Sequence, residues 1–119
     1  MLSYTIDEEE GVIDVLVDGA ISRRDYEELI PILERLIERH NKLRCVETVR
    51  EIGPIDMSLW WEDLKWAVAH RHDLARVAVI TDHGWIGPLT KAVGALFPAE
   101  MRVFKESDAQ AARAWVRTP

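Results

Sequence analysis

The hydrophobic pattern changes period several times along the chain, and each change marks an element. Ser3 to Ile6 reads as a short strand and Asp7-Glu8-Glu9-Glu10-Gly11 as a charged turn. Val12 to Val17 is a strand interrupted only by Asp14, and the short connection favours a hairpin. Ser22 with Asp25 three residues on has the form of a capping box. Behind it Tyr26, Leu29, Ile30, Leu33, Leu36 and Ile37 recur at helical spacing as far as His40. Pro31 lies inside that stripe, and because the period carries through it a kinked helix is expected.

Leu43 to Val49 is the next strand, and Gly53-Pro54 turns the chain into a tryptophan-rich helix that reaches Arg71. Arg76 to Thr81 is a strand, and Gly84 to Leu96 reads as a helix with Pro88 near its first turn. Met101 to Phe104 makes a last strand. Ser107, with Gln110 three residues later, is expected to cap a final helix whose inner face is Ala111, Ala112, Trp115 and Val116. The order β-β-α-β-α-β-α-β-α, with apolar strands and amphipathic helices, predicts an α/β fold. It is a five-stranded, mostly parallel sheet with an N-terminal hairpin strand, in one domain over residues 1–119.

The tryptophan-rich helix is the least regular element. At helical spacing Met57, Trp60, Trp61, Leu64, Ala67 and Val68 fall on one side and predict the core face. Leu59 and Trp66 fall on the other, with His70 one turn on, as a second apolar patch that a core does not require. On this reading Trp60, Trp61 and Trp115 are core residues. Asp56 caps the helix, and Ile55 and Trp60 stand at the spacing of a hydrophobic staple.

Composition narrows the classes. With 48% hydrophobic and 30% charged residues, the 119-residue chain is an ordinary globular domain, and its net charge of -6 argues against nucleic acid as a partner. The lone Cys45 lies in an apolar run and reads as a buried, inert thiol. Neither a signal pattern nor a transmembrane segment is evident, which makes a cytoplasmic, soluble protein the expectation.

In a sheet of this kind ligands gather beyond the carboxyl ends of the strands, where Asp18, Asp56, Ser58, Thr81, Asp82, His83, Lys105 and Ser107 converge. They make either an acidic metal or phosphoryl-transfer site or, more simply, a set of caps in which Asp56, Asp82 and Ser107 serve the helices they precede. His70 and His72 stand two apart and diverge on a helix, so no metal site is read from them, and no catalytic or cofactor motif is present. Glu47 alternates with Cys45 and Val49. It either faces an apolar layer with a raised pKa or lies on an open sheet face.

The segments Trp61-Glu62-Asp63-Leu64-Lys65-Trp66, Arg76-Val77-Ala78-Val79-Ile80-Thr81-Asp82, Trp85 with Leu89-Thr90-Lys91, and Glu100-Met101-Arg102-Val103-Phe104 with Ala111-Ala112-Arg113-Ala114-Trp115 together resemble the SpoIIAA-like family of STAS-related domains. The resemblance spans nearly the whole chain. It implies a β-α superhelix shared with STAS and CRAL-TRIO domains, no enzymatic activity and no cofactor. The roles it implies are binding of apolar small molecules or lipids, and association with membranes or protein partners. Anti-sigma-factor antagonists of this fold carry an Asp-Ser-Ser-Gly-type phosphoacceptor motif at the helix after the third strand. Here the place reads Asp56-Met57-Ser58-Leu59: an acid and a serine are kept, and Leu59 replaces the glycine.

Function then divides into three readings. In the first, Leu59, Trp66 and Trp85 line an apolar patch that binds a small hydrophobic molecule or lipid. The second is a regulatory interaction domain with Ser58 as phosphoacceptor and a protein partner or a homodimer. The third is an enzyme using Asp82, His83 and Ser58, which requires the His83 ring to reach a nucleophile or a carboxylate.

Overall fold

Apolar residues alternate along the strands, so each face of the sheet needs its own cover. In the computed structural model of the chain, which describes residues 1–53 and 57–119 with Met57 by its backbone alone, five strands lie in the order β1-β2-β3-β4-β5. They are β1 (Leu2–Asp7), β2 (Val12–Gly19), β3 (Leu43–Ile52), β4 (Leu74–Ile80) and β5 (Glu100–Phe104). The β1–β2 pair is antiparallel and the remaining pairs are parallel, as the hairpin and the crossover lengths require. The Asp56 cap and the Ile55–Trp60 staple expected from the sequence lie outside the described residues.

Because strand order follows chain order, successive crossovers return over the same side of the sheet. The crossovers are α1 (Arg23–His40), α2 (Met57–Ala69) and α3 (Ile86–Gly94). Leu29, Leu33 and Leu36 of α1, Trp66, Ala67 and Val68 of α2 and Val93 of α3 pack with Ile13, Val15, Val17 and Val77 in one core. Among the described residues the opposite face is covered by α4 (Ala109–Val116), whose fully buried Ala112 and Val116 pack on Val12, Val46, Ala78 and Ile80.

Local chemistry accounts for most of the boundaries. At the start of α1 the Ser22 side chain accepts from the Asp25 amide and the Asp25 carboxylate accepts from the Ser22 amide, the expected capping box. The helix runs through Pro31, whose ring is on the exposed side. Gly11 ends the hairpin turn with φ of 64°, and a Cβ there would meet the His40 ring at 2.8 Å, so both conformation and space select glycine.

The C-terminal helix begins differently from expectation. Ser107 is exposed inside a single 3-10 turn, Glu106–Asp108, and α4 has no side-chain cap. The Asp82 carboxylate, expected to cap α3, instead accepts from the Glu106 amide at 3.1 Å. A carboxylate at the end of β4 thus serves the first turn after β5, a pairing that distance along the chain conceals. Ala111 is exposed. Trp115 is half-buried against Phe104 and lies beneath the guanidinium groups of Arg76 and Arg102, at 4.9 and 5.3 Å.

Candidate functional site

The rotation of α2 about its own axis decides which of its tryptophans meet solvent. Leu59 is 6% exposed and belongs to the interior. Trp66 is half-buried against the α1 core, stacks on His70 at 4.4 Å between ring centres and donates its indole N–H to Glu34 of α1 at 3.3 Å. Trp60 and Trp61, expected in the core, are 46% and 59% exposed. The helix is turned by about a third of a turn from the expected phase, so the supposed spare patch faces inward and two of the supposed core indoles face out. The reason lies in the sequence of α2 itself. Apolar residues surround it, so packing against α1 and the sheet, and not periodicity, chooses the inner side.

Trp85, just ahead of α3, is 51% exposed, and Leu89 and Leu96 on and after α3 are 37% and 57% exposed. With Trp60 and Trp61 these make an apolar outer surface on two neighbouring crossovers of the same sheet face. Lys65 places its ammonium over the exposed Trp61 ring, 5.7 Å from the ring centre. Sequence reasoning reached Trp85 but placed Trp60 and Trp61 inside.

The polar residues at the strand ends are used structurally. The Thr81 hydroxyl is buried and accepts from the His83 amide at 3.1 Å, and the His83 ring donates through Nε2 to the Arg50 carbonyl. Arg50 in turn pairs with Glu106 at 3.0 Å. These contacts tie together the ends of β3, β4 and β5. Ser58 stands apart from them, exposed in the first turn of α2, where its Oγ accepts from Arg23 of α1 at 3.1 Å. Arg23 also pairs with Glu62 at 2.7 Å. Among the described residues the His83–Ser58 or His83–Asp82 contact that an enzyme of this design requires is not formed, and no cluster of ligands suited to a metal ion occurs.

Beneath α2 the chemistry is less ordinary. Glu47 lies on the helix-covered side of β3, in register with Val15 on β2 and Val79 on β4. Burial, and after it the charge of Asp63 on α2, pushes its carboxyl up to about 7. Asp63 keeps solvent contact, yet burial also holds its carboxyl above the ordinary range. Asp63 is the better solvated of the two acids. Burial raises the Cys45 thiol, with Glu47, Asp14 and Asp63 adding to the effect, so the cysteine is held as the unreactive thiol.

Comparison with known proteins agrees with this architecture. The SpoIIAA-like family profile matches residues 12–117. The crystal structure of an uncharacterised DUF3478-family protein with a SpoIIAA-like fold, from Shewanella loihica PV-4, superposes with a TM-score of 0.78 at 21% identity, covering 98% of this chain and 92% of that one. No curated protein sequence matches the chain. Among the described residues no helix is long and apolar enough to cross a membrane.

Proposed function

The chain belongs to the SpoIIAA-like family, and on that footing we propose that it is a non-catalytic domain that binds an apolar small molecule or lipid through the outer surface of α2 and α3. A fold of this kind carries no fixed chemistry, so the reading rests on the surface itself. The observation that carries it is the exposure of Trp60 and Trp61 on α2 and of Trp85, Leu89 and Leu96 on and beside α3. Indoles are poorly suited to solvent, and covering one contributes about 1.5–3 kcal/mol. Large apolar side chains exposed on neighbouring crossovers are candidates for a place of contact. Leu59 and Trp66 support the site from within by fixing the rotation of α2, and Trp85 belongs to its surface. Titration with the neutral apolar dye Nile red tests the reading. Saturable binding that weakens in both Trp61→Ser and Trp85→Ser supports it, and a chain that leaves the dye unbound overturns it.

A second reading, a regulatory domain with Ser58 as phosphoacceptor, is favoured by one specific contact. Ser58 is exposed at the start of α2 beside Arg23, a guanidinium suited to a phosphate. Leu59 turns inward, so its bulk is withdrawn from the face a kinase or partner would approach. Phosphate transfer by a serine kinase, lost in Ser58→Ala, is the supporting result. A chain that resists every such kinase while Ser58 stays solvent-accessible argues against it.

A further inference from the structure

β5 ends the sheet, and its outer edge is unpaired. The Phe104 carbonyl accepts from the Thr81 amide at 2.9 Å, so Phe104 and, by alternation, Arg102 turn their backbone groups toward β4. The N–H and C=O of Met101 and Val103 therefore point away from the sheet. Among the described residues neither a strand nor a side chain pairs with them. Beside this edge runs an open groove of about 820 Å³, lined by Met101 and Val103 and, across from them, by Gly87, Thr90, Lys91 and Gly94 of α3. A Cβ on Gly87 would meet nothing within 4 Å, and Val103 is 39% exposed, so the groove has room for side chains. Its α3 residues recur at helical spacing about half a turn from Leu89, which sets the groove apart from the surface of Trp60, Trp61 and Trp85.

Charge along this edge runs against the rest of the molecule. The chain has a net charge of -6, yet Lys91 on α3, Arg102 in β5 and Lys105 just after it are exposed. Among the described residues these three make no hydrogen bond or ion pair. Arg102 is on the α4 side of the edge, its guanidinium 5.2 and 5.3 Å from the ring centres of Phe104 and Trp115, which face the cation without offering an acceptor. The acids flanking β5 are engaged, Glu100 with Arg76 at 3.8 Å and Glu106 with Arg50 at 3.0 Å. A two-fold pairing of β5 with a second copy would gather both sets of cations at one edge, and basic residues on an edge keep like edges apart.

We propose that the β5 edge is a docking site for an extended, acidic segment of a partner protein, which joins the sheet as a further strand. The added backbone pairs with the outward N–H and C=O of Met101 and Val103, groups otherwise left to water. Its side chains alternate between the two sides of the sheet. Those on the α3 side enter the groove beside Met101 and Val103 and are apolar. Those on the α4 side stand beside Arg102 and are acidic, and Lys91 and Lys105 draw further acids to the groove rim and the strand end. The segment recognised is thus an alternation of apolar and acidic residues. This site does not rest on the apolar-ligand surface proposed above.

Fluorescence anisotropy of the intact chain with a fluorescein-labelled peptide of alternating valine and glutamate, matched to β5 in length, tests the site. Saturable binding that weakens as salt rises, and by about tenfold or more in Arg102→Glu, is the expected result. Val103→Pro deletes an outward N–H and spares the ladder to β4, so binding is lost while the circular dichroism spectrum is kept. Lys91→Glu, at an exposed position, supplies a second charge reversal that weakens binding should a β5 variant fold poorly. With the peptide bound, hydrogen exchange slows at the amides of Met101 and Val103 more than at those of Arg102 and Phe104, which β4 already holds. A glutamate peptide that does not bind, a valine–lysine peptide that binds as well, or binding unchanged in both Arg102→Glu and Val103→Pro overturns the proposal. So does a wild-type dimer in sedimentation velocity that Val103→Pro returns to monomer, because a second copy then holds the edge.

Discussion

The two faces of the sheet are built on opposite plans. On one, α4 places small, fully buried residues, Ala112 and Val116, against Val46, Ala78 and Ile80, and arginines pin its end: Arg44 donates to the carbonyls of Val116 and Thr118 and Arg76 to that of Trp115. On the other, α2 covers an acid, Glu47, and turns two indoles outward. The first face spends its sequence on packing. The second gives up packing at α2 for a surface and a titratable seam, and function is expected where that local consistency breaks.

The comparison can be broken most forcefully at the tight face. Ile80→Ala, at a site 1% exposed, is expected to cost about 2–5 kcal/mol in urea unfolding; a loss well below that range would mean the α4 side is as loose as the other. At the α2 seam the effect has the opposite sign. Folding raises the Glu47 carboxyl from 4.5 to about 7, so between those values the folded chain binds more protons than the unfolded one. Stability therefore falls as pH rises through that window and levels off above it. Glu47→Gln is expected to remove that fall and to stabilise the chain at pH 8 by about 1–3 kcal/mol; equal pH slopes for the variant and wild type in thermal unfolding would contradict it.

A smaller effect is expected at the Arg113–Asp14 ion pair beneath α4. Arg113→Ala leaves Asp14 without its partner at 2.6 Å, and because both side chains keep some solvent the cost should be about 1–2 kcal/mol. Restoration by Arg113→Lys, read by chemical denaturation, would separate charge from the two-bond geometry. Smallest for stability is Trp61→Ser, which should move the unfolding midpoint by less than about 0.5 kcal/mol while Nile red binding falls. A large loss of stability there would return Trp61 to a packing role and weaken the contrast between the faces.

Much of the fold was legible because the signals were local. The capping box at Ser22, the leucine stripe of α1 and the alternation of β2 and β3 each depend on neighbours within a few residues, and all reappear in the structure. Glu47 could be placed on the same strand face as Cys45 and Val49 by period alone. The strand-end polar residues were misread in detail because capping partners need not be close in sequence: Asp82 serves the Glu106 amide, 24 residues away. In α2 the candidate residues were found in the right helix but with the wrong rotation.

The amino-acid sequence by itself determined the element order, the sheet and the family, since hydrophobic period and turn chemistry act over short range. It also placed the tryptophans in one helix. Only the tertiary structure decided which of them face out. A helix apolar on nearly all sides has no preferred phase of its own, and α2 takes the one that lets Leu59 enter the interior and Trp66 reach Glu34. The Trp66–Glu34 contact joins α2 to α1 across 32 residues, and no short window along the chain contains it.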